Sequence, residues 1–139
     1  MRVKICGVRR VDDALAAVAA GSDAVGCLVA LDHAAPDRIE AASARAIFAS
    51  LPPLVARVLV THRTALPDVI ALMRETAATV AQLQGDFPLV AISALREALP
   101  HASIVKCVHV TGEGTVTAAL AAARVADAIL LDTKTRGRI

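Results

Sequence analysis

A thiol and a carboxylate end two of the apolar runs in this chain. Val3-Lys4-Ile5-Cys6-Gly7 carries Cys6 at its end, Ala128-Ile129-Leu130-Leu131-Asp132 carries Asp132, and four further strand-like runs lie between them. A Cys and an Asp at matching strand ends are suited to act as an acid/base pair on one substrate. Each has a plainer reading when taken alone, Cys as a small buried apolar residue and Asp as a turn or capping residue, so the pairing is what makes them candidates. A second set is His33, His62 and His109, which follow or end runs two, three and five. With Asp132 they could converge as the mononuclear site of a metal-dependent hydrolase, although no two of them stand at paired-ligand spacing.

The elements that must position these residues alternate along the whole chain. Short runs rich in Val, Ile and Leu are followed by longer Ala/Leu segments of helical period. Strands are predicted at Val3–Cys6, Ala24–Val29, Ala56–Val60, Thr79–Leu83, Ile104–Val108 and Ala128–Leu131. Helices are predicted at Val11–Ala20, Glu40–Ser50, Pro67–Thr76, Leu89–Leu99 and Gly114–Arg124. Asp12 and Asp13 favour the positive end of the first helix, Gly21 stops it, and Pro52-Pro53 ends the second. Strand starts recur roughly every 21 to 32 residues, the spacing of a βα repeat. Such a repeat builds a parallel sheet with right-handed crossovers, either a (β/α)8 barrel or an open doubly wound sheet.

Parity within the strands favours the barrel. Lys4 and Cys6 share one face of strand 1, Leu130 and Asp132 share one face of strand 6, and Lys106 interrupts strand 5. A sheet covered by helices on both sides is expected to be apolar on both faces, whereas a barrel can hold inward Lys, Cys and Asp near its C-terminal mouth. The expected architecture is one α/β domain over residues 1–139, a TIM-barrel type with six βα units present. A non-catalytic doubly wound domain binding a small ligand is the alternative, without a GxGxxG loop to name that ligand.

Composition narrows the partners. The chain has 139 residues, 56% of them apolar, and a net charge of +2, with two Phe and no Tyr or Trp. No apolar stretch approaches the roughly 18 residues of a spanning helix, and Met1-Arg2-Val3-Lys4 enters a strand without a signal-peptide pattern, so a cytoplasmic protein is expected. Scattered Lys and Arg without aromatic platforms argue against nucleic acid. Cys6, Cys27 and Cys107 are an odd set without CxxC spacing, read as reduced thiols, with Cys27 and Cys107 in the core.

Five segments taken together resemble a family. Lys4-Ile5-Cys6-Gly7, Ala24-Val25-Gly26, Gln82-Leu83-Gln84-Gly85, Ile104-Val105-Lys106 and Leu130-Leu131-Asp132-Thr133-Lys134 resemble, in order and spacing, the phosphoribosylanthranilate isomerases of tryptophan biosynthesis. The resemblance implies a (β/α)8 barrel and a small phosphorylated substrate. It implies an Amadori rearrangement of N-(5-phosphoribosyl)anthranilate, an intramolecular aldose-ketose isomerisation without metal or organic cofactor. It assigns Asp132 as general acid for ring opening and Cys6 as general base at C2. A free thiol titrates near about 8.5, so that role asks for a lowered pKa, with Lys4 on the same face as a source of positive field. The acid asks for a raised one, in apolar surroundings such as Leu130 and Leu131.

The chain also departs from the family pattern. Where the family has Ser-Pro-Arg-Tyr after strand 2, the loop reads His33-Ala34-Ala35-Pro36-Asp37-Arg38-Ile39. Arg38 and His33 are candidate substrate contacts there, and a solvated loop Arg is the competing reading. Gln84 replaces the usual His after Gln-Leu, and an amide can position a substrate oxygen but cannot titrate. These departures imply a divergent branch. Seven residues follow Asp132, where the family continues through two more βα units that carry the phosphate site. The expectation is an N-terminal portion of a barrel, inactive alone, whose unpaired edge strands invite self-association.

Overall fold

The computed structural model describes residues 1–32 and 35–133, so His33, Lys134 and the last five residues lie outside the described residues. The elements run β1 (Lys4–Cys6), α1 (Val11–Ala19), β2 (Ala24–Leu28), α2 (Ala41–Ser50), β3 (Ala56–Thr61), α3 (Leu66–Thr76) and β4 (Val80–Leu83). A 3-10 turn (Leu89–Ala91) leads into α4 (Ile92–Ala98), followed by β5 (Ser103–His109), α5 (Gly114–Ala123) and β6 (Ala128–Asp132). The alternation read from the sequence is the alternation observed.

Local chemistry explains most boundaries. Asp12 and Asp13 occupy the first turn of α1, and Gly21, at φ +92°, turns the chain after it. Pro67 sits in the first turn of α3, where its missing N–H is not needed. That helix ends on Ala77 in the left-handed region (φ 55°), a conformation that costs a non-glycine residue about 1 kcal/mol and that no glycine signals. The continuous helix expected over Leu89–Leu99 begins instead as a 3-10 turn. Pro88 precedes it in extended conformation, and the Ala91 N–H closes a three-residue bond to the Pro88 carbonyl (3.0 Å).

All five strand pairings are parallel, in the order β1-β2-β3-β4-β5-β6. Sequential order has no switch point, which rules out the doubly wound alternative. The sheet is curled. On a flat sheet β1 and β4 would stand about 14 Å apart, three strand spacings, yet the Lys4 ammonium hydrogen-bonds the Gln82 side-chain oxygen across the concave side.

The two faces have different neighbours. Paired residues of a parallel ladder share a face, so Val25, Cys27, Leu59, Ala81, Leu83 and Ile104 form one side. They pack with Ala14, Ala44, Ile47, Phe48, Val69, Met73, Ile92 and Leu95 of the helices in one buried cluster. The concave side carries Lys4, Cys6, Gly26, Val58, Val60, Gln82, Val105, Cys107, His109, Leu130 and Asp132. At the two edge strands the convex face is more open, with Ile5 and Leu131 exposed. Lys106 overturns part of the parity reading: it pairs with Leu83 and Ile129 and lies on the helix side, not inward.

Asp127 secures the pairing that brings β6 beside β5. Its Oδ2 accepts the Ile104 N–H (2.7 Å), its own N–H donates to the Ile104 carbonyl (2.9 Å), and its Oδ1 lies 3.0 Å from Arg96. The Ile104 N–H, aided by Arg96, holds this carboxyl below its usual range against an opposing effect of burial. A carboxyl with a lowered folded pKa contributes stability above its unfolded value, near about 3.9, and loses it as pH falls through the folded one. Asp127→Ala is expected to cost about 1–2 kcal/mol at neutral pH in urea unfolding, and the difference from the parent should shrink below about pH 4. An unchanged gap at low pH would contradict this assignment.

Candidate active site at the C-terminal mouth

Cys6 and Asp132 are the last residues of β1 and β6, both on the concave side. The ladder fixes their relative height. The row of paired residues that starts at Cys6 passes Gly26, Val58, Val80 and Ser103, and since Val105 pairs with Ala128 it continues to the level of Ala126, two residues before β6 and six before Asp132. A barrel of shear 8 shifts the register by about one residue per strand, so five steps absorb about five of those residues. The thiol and the carboxylate therefore stand at nearly the same level along the barrel axis, on strands far apart in sequence.

Glycines and two interlocked loops make room for the thiol. A Cβ on Gly26 would lie 3.1 Å from the Cys6 Sγ. Gly7, directly after Cys6, has φ +79°, and a Cβ there would stand 2.9 Å from Asp37 Oδ2. Arg9 donates to the Pro36 carbonyl (2.7 Å), tying the loop after β1 to the loop after β2. The thiol of Cys6 is exposed whereas Cys27 and Cys107 are buried. Burial, with a smaller contribution from Cys6, pushes the Cys27 thiol up to about 12, so this thiol is inert at neutral pH.

On the other side of the mouth, β5 and β6 bring three donors together. His109 pairs directly with Asp132, and the Val110 N–H donates to the Asp132 carbonyl (2.7 Å). Cys107 Sγ, a His109 ring nitrogen and an Asp132 carboxylate oxygen lie within 4.8 Å of one another. Burial pushes the Cys107 thiol up and Asp132 adds to that, while Lys106 and Lys4 oppose it. A cleft of about 270 Å³ has Asp132, His109, Gln84, His62 and Asp32 in its walls. His62 Nδ1 is hydrogen-bonded to Asp32 there. A larger cleft of about 370 Å³ around Arg57, Thr79 and His101 lies at the opposite, N-terminal ends of the strands, the stability face of such barrels.

The other sequence candidates fall in different places. Gln84 is at the mouth, its N–H bonded to the Thr61 carbonyl (3.0 Å) and its buried Oε1 without a hydrogen-bond partner among the described residues. Arg38 is half-exposed, 3.7 Å from Glu40, and lines a separate cleft with Leu31 and Arg63 rather than the one holding Asp132. His33 lies outside the described residues. Lys106 reaches the loop from behind. Its buried ammonium donates to the carbonyls of Gly85 (2.6 Å) and Cys107 (2.9 Å), holding the segment that carries Gln84. Burial lowers its pKa, and Cys107 and Asp86 partly offset that.

Comparison with known proteins shows what this arrangement is similar to. A curated relative, N-(5'-phosphoribosyl)anthranilate isomerase 2 of Methanosarcina mazei, is 38% identical over 133 residues, 96% of this chain and 59% of the relative. The isomerase of Methanocella arvoryzae is 39% identical over 95% of this chain and 62% of its own length. The crystal structure of phosphoribosyl anthranilate isomerase from Thermus thermophilus superposes with a TM-score of 0.83 at 36% identity, covering 99% of this chain and 64% of that one. The chain is homologous to the phosphoribosylanthranilate isomerases. It spans about three-fifths of the length of the curated relatives it matches. Another isomerase structure, TM-score 0.81 at 32% identity over 97% of this chain and 66% of its own, is a complex with reduced 1-(o-carboxyphenylamino)-1-deoxyribulose 5-phosphate. No family model matches the chain. The fold is thus six parallel βα units of a TIM-barrel type, and the hydrolase reading is not favoured: the relatives named above are isomerases, and His62 is paired with Asp32.

The difference in thiol exposure is directly measurable. One thiol per native chain, Cys6, is expected to react with iodoacetamide, and all three in denaturant, with peptide mass mapping as the readout. Labelling of Cys107 at the Cys6 rate would contradict the described burial.

Proposed function

We propose that these six βα units carry the acid and base of a phosphoribosylanthranilate isomerase, the complete protein converting N-(5-phosphoribosyl)anthranilate to 1-(2-carboxyphenylamino)-1-deoxyribulose 5-phosphate. The observation that carries the reading is the placement of Cys6 and Asp132 at the C-terminal ends of their strands, on one concave face. Substrate between them has an acid on one side and a base on the other. Asp132, as general acid, delivers a proton to the furanose oxygen, the C1–O bond breaks, and the anthranilate nitrogen becomes a Schiff base. Cys6, as general base, then removes the C2 proton, and the enolamine tautomerises to the ketone. No net proton is gained or lost.

Other mouth residues take positioning roles in this reading. The unpartnered Gln84 oxygen is an acceptor for a substrate hydroxyl, since a buried acceptor without a partner costs about 1–3 kcal/mol until something donates to it. Arg38 lines a neighbouring cleft, in an exposed ion pair 3.7 Å from Glu40 that costs little to break, and is a candidate contact for an anionic group of the substrate.

The test is loss of substrate fluorescence, followed for this chain and for a version extended with the last two βα units of the Methanosarcina mazei relative. Turnover is expected in the extended protein, falling about 10²–10⁴-fold on Cys6→Ala or Asp132→Asn. A folded, extended protein whose turnover ignores both substitutions would overturn the assignment. Gly26→Ala, which crowds the thiol at 3.1 Å, is expected to lower kcat about tenfold with an unchanged melting temperature.

A further inference from the structure

Beside Asp132 stand two donors, Cys107 and His109, that the isomerase chemistry does not use. Cys107 and His109 are two apart on β5 and so share the concave face, and Asp132 is the direct ladder partner of His109. Sulfur, ring nitrogen and carboxylate oxygen lie within 4.8 Å of one another. Tetrahedral ligands at ordinary zinc distances stand about 3.3–3.5 Å apart, so closure asks for shifts of about 1 Å. The exposed Asp132 side chain has the freedom to make them.

His109 Nδ1 is buried and has no hydrogen-bond partner among the described residues. A buried ring nitrogen left without a partner is unusual in a native fold and is accounted for by an ion or a water. Thiolate, imidazole and carboxylate are the donors of a borderline-soft divalent cation and a poor match for magnesium or calcium, which take oxygen ligands. A cleft of about 270 Å³ opens beside His109 and Asp132.

We propose that Cys107, His109 and Asp132 bind a zinc-class divalent ion at the mouth. Binding displaces the thiol proton of Cys107 and uses the neutral imidazole of His109 and the carboxylate of Asp132, so that no oxidant or reductant is involved. The site stands on its own geometry, whatever reaction the complete protein performs. Where Asp132 holds a metal it cannot deliver a proton, so metal and acid catalysis exclude each other.

The test is a titration of the 139-residue chain with Co²⁺ alone under anaerobic conditions, read as thiolate-to-cobalt charge transfer in the near ultraviolet and ligand-field bands in the visible. One cobalt per chain is expected, displaced by Zn²⁺. The charge-transfer band should vanish in Cys107→Ser and persist in Cys6→Ser. Because the Cys107 variant disturbs a buried position, His109→Gln and Asp132→Asn supply the decisive readout. Each, with a circular dichroism spectrum like the parent's, should weaken cobalt binding at least about tenfold. A band that disappears with Cys6 instead, binding unchanged in both of the latter variants, or a natively folded chain with no thiolate band would each overturn the proposal.

Discussion

A side chain on a strand can point to one of two sides, and in a curled parallel sheet those sides meet different things. The convex side must be covered by helices, because each βα crossover lays a helix against it. The concave side then belongs to whatever the strand ends hold. Val25, Cys27, Leu59, Ala81, Leu83 and Ile104 satisfy the first demand and are almost fully buried. Lys4, Cys6, Gln82, Cys107, His109 and Asp132 occupy the second side, and the Lys4–Gln82 hydrogen bond across it marks how closely opposite strands approach.

The same alternation decides what could be read before any coordinates. Six strands and five helices were legible because Val/Ile/Leu runs and Ala/Leu periods rarely describe anything else, and Gly21 and Pro67 punctuate them. The end of α3 was legible only as a change of period, since Ala77 adopts the left-handed conformation without the glycine that advertises it. Lys106 misled the parity argument. Its long aliphatic stem packs on the helix side while its ammonium reaches past the strand end to the Gly85 carbonyl, so a charge within a strand did not mark the inner face.

At the mouth, legibility depended on sequence distance. Cys6 and Asp132 end their runs visibly, and the family resemblance named them as a pair. The grouping of Cys107 and His109 with Asp132 needs the register between β5 and β6, which no composition or period supplies. The pairing of His62 with Asp32 joins two loops and was equally hidden, and so was the turn of Arg38 toward Glu40. Local elements follow from neighbours in the chain, while the surroundings of a site follow from strands that meet only after folding.

The division of labour between odd and even strand positions also bears on how such a chain can change over generations. Adjacent residues answer to separate demands: Leu131 belongs to the convex side and Asp132 to the mouth. Single substitutions can therefore rework the mouth while the helix-packed core is left alone. Insertions and deletions have no such freedom. One residue gained or lost within β6 would exchange the two sets, turning Asp132 toward the helices and Leu131 toward the cavity. Lineages of this fold should vary by replacement within strands and by length in the loops that join them.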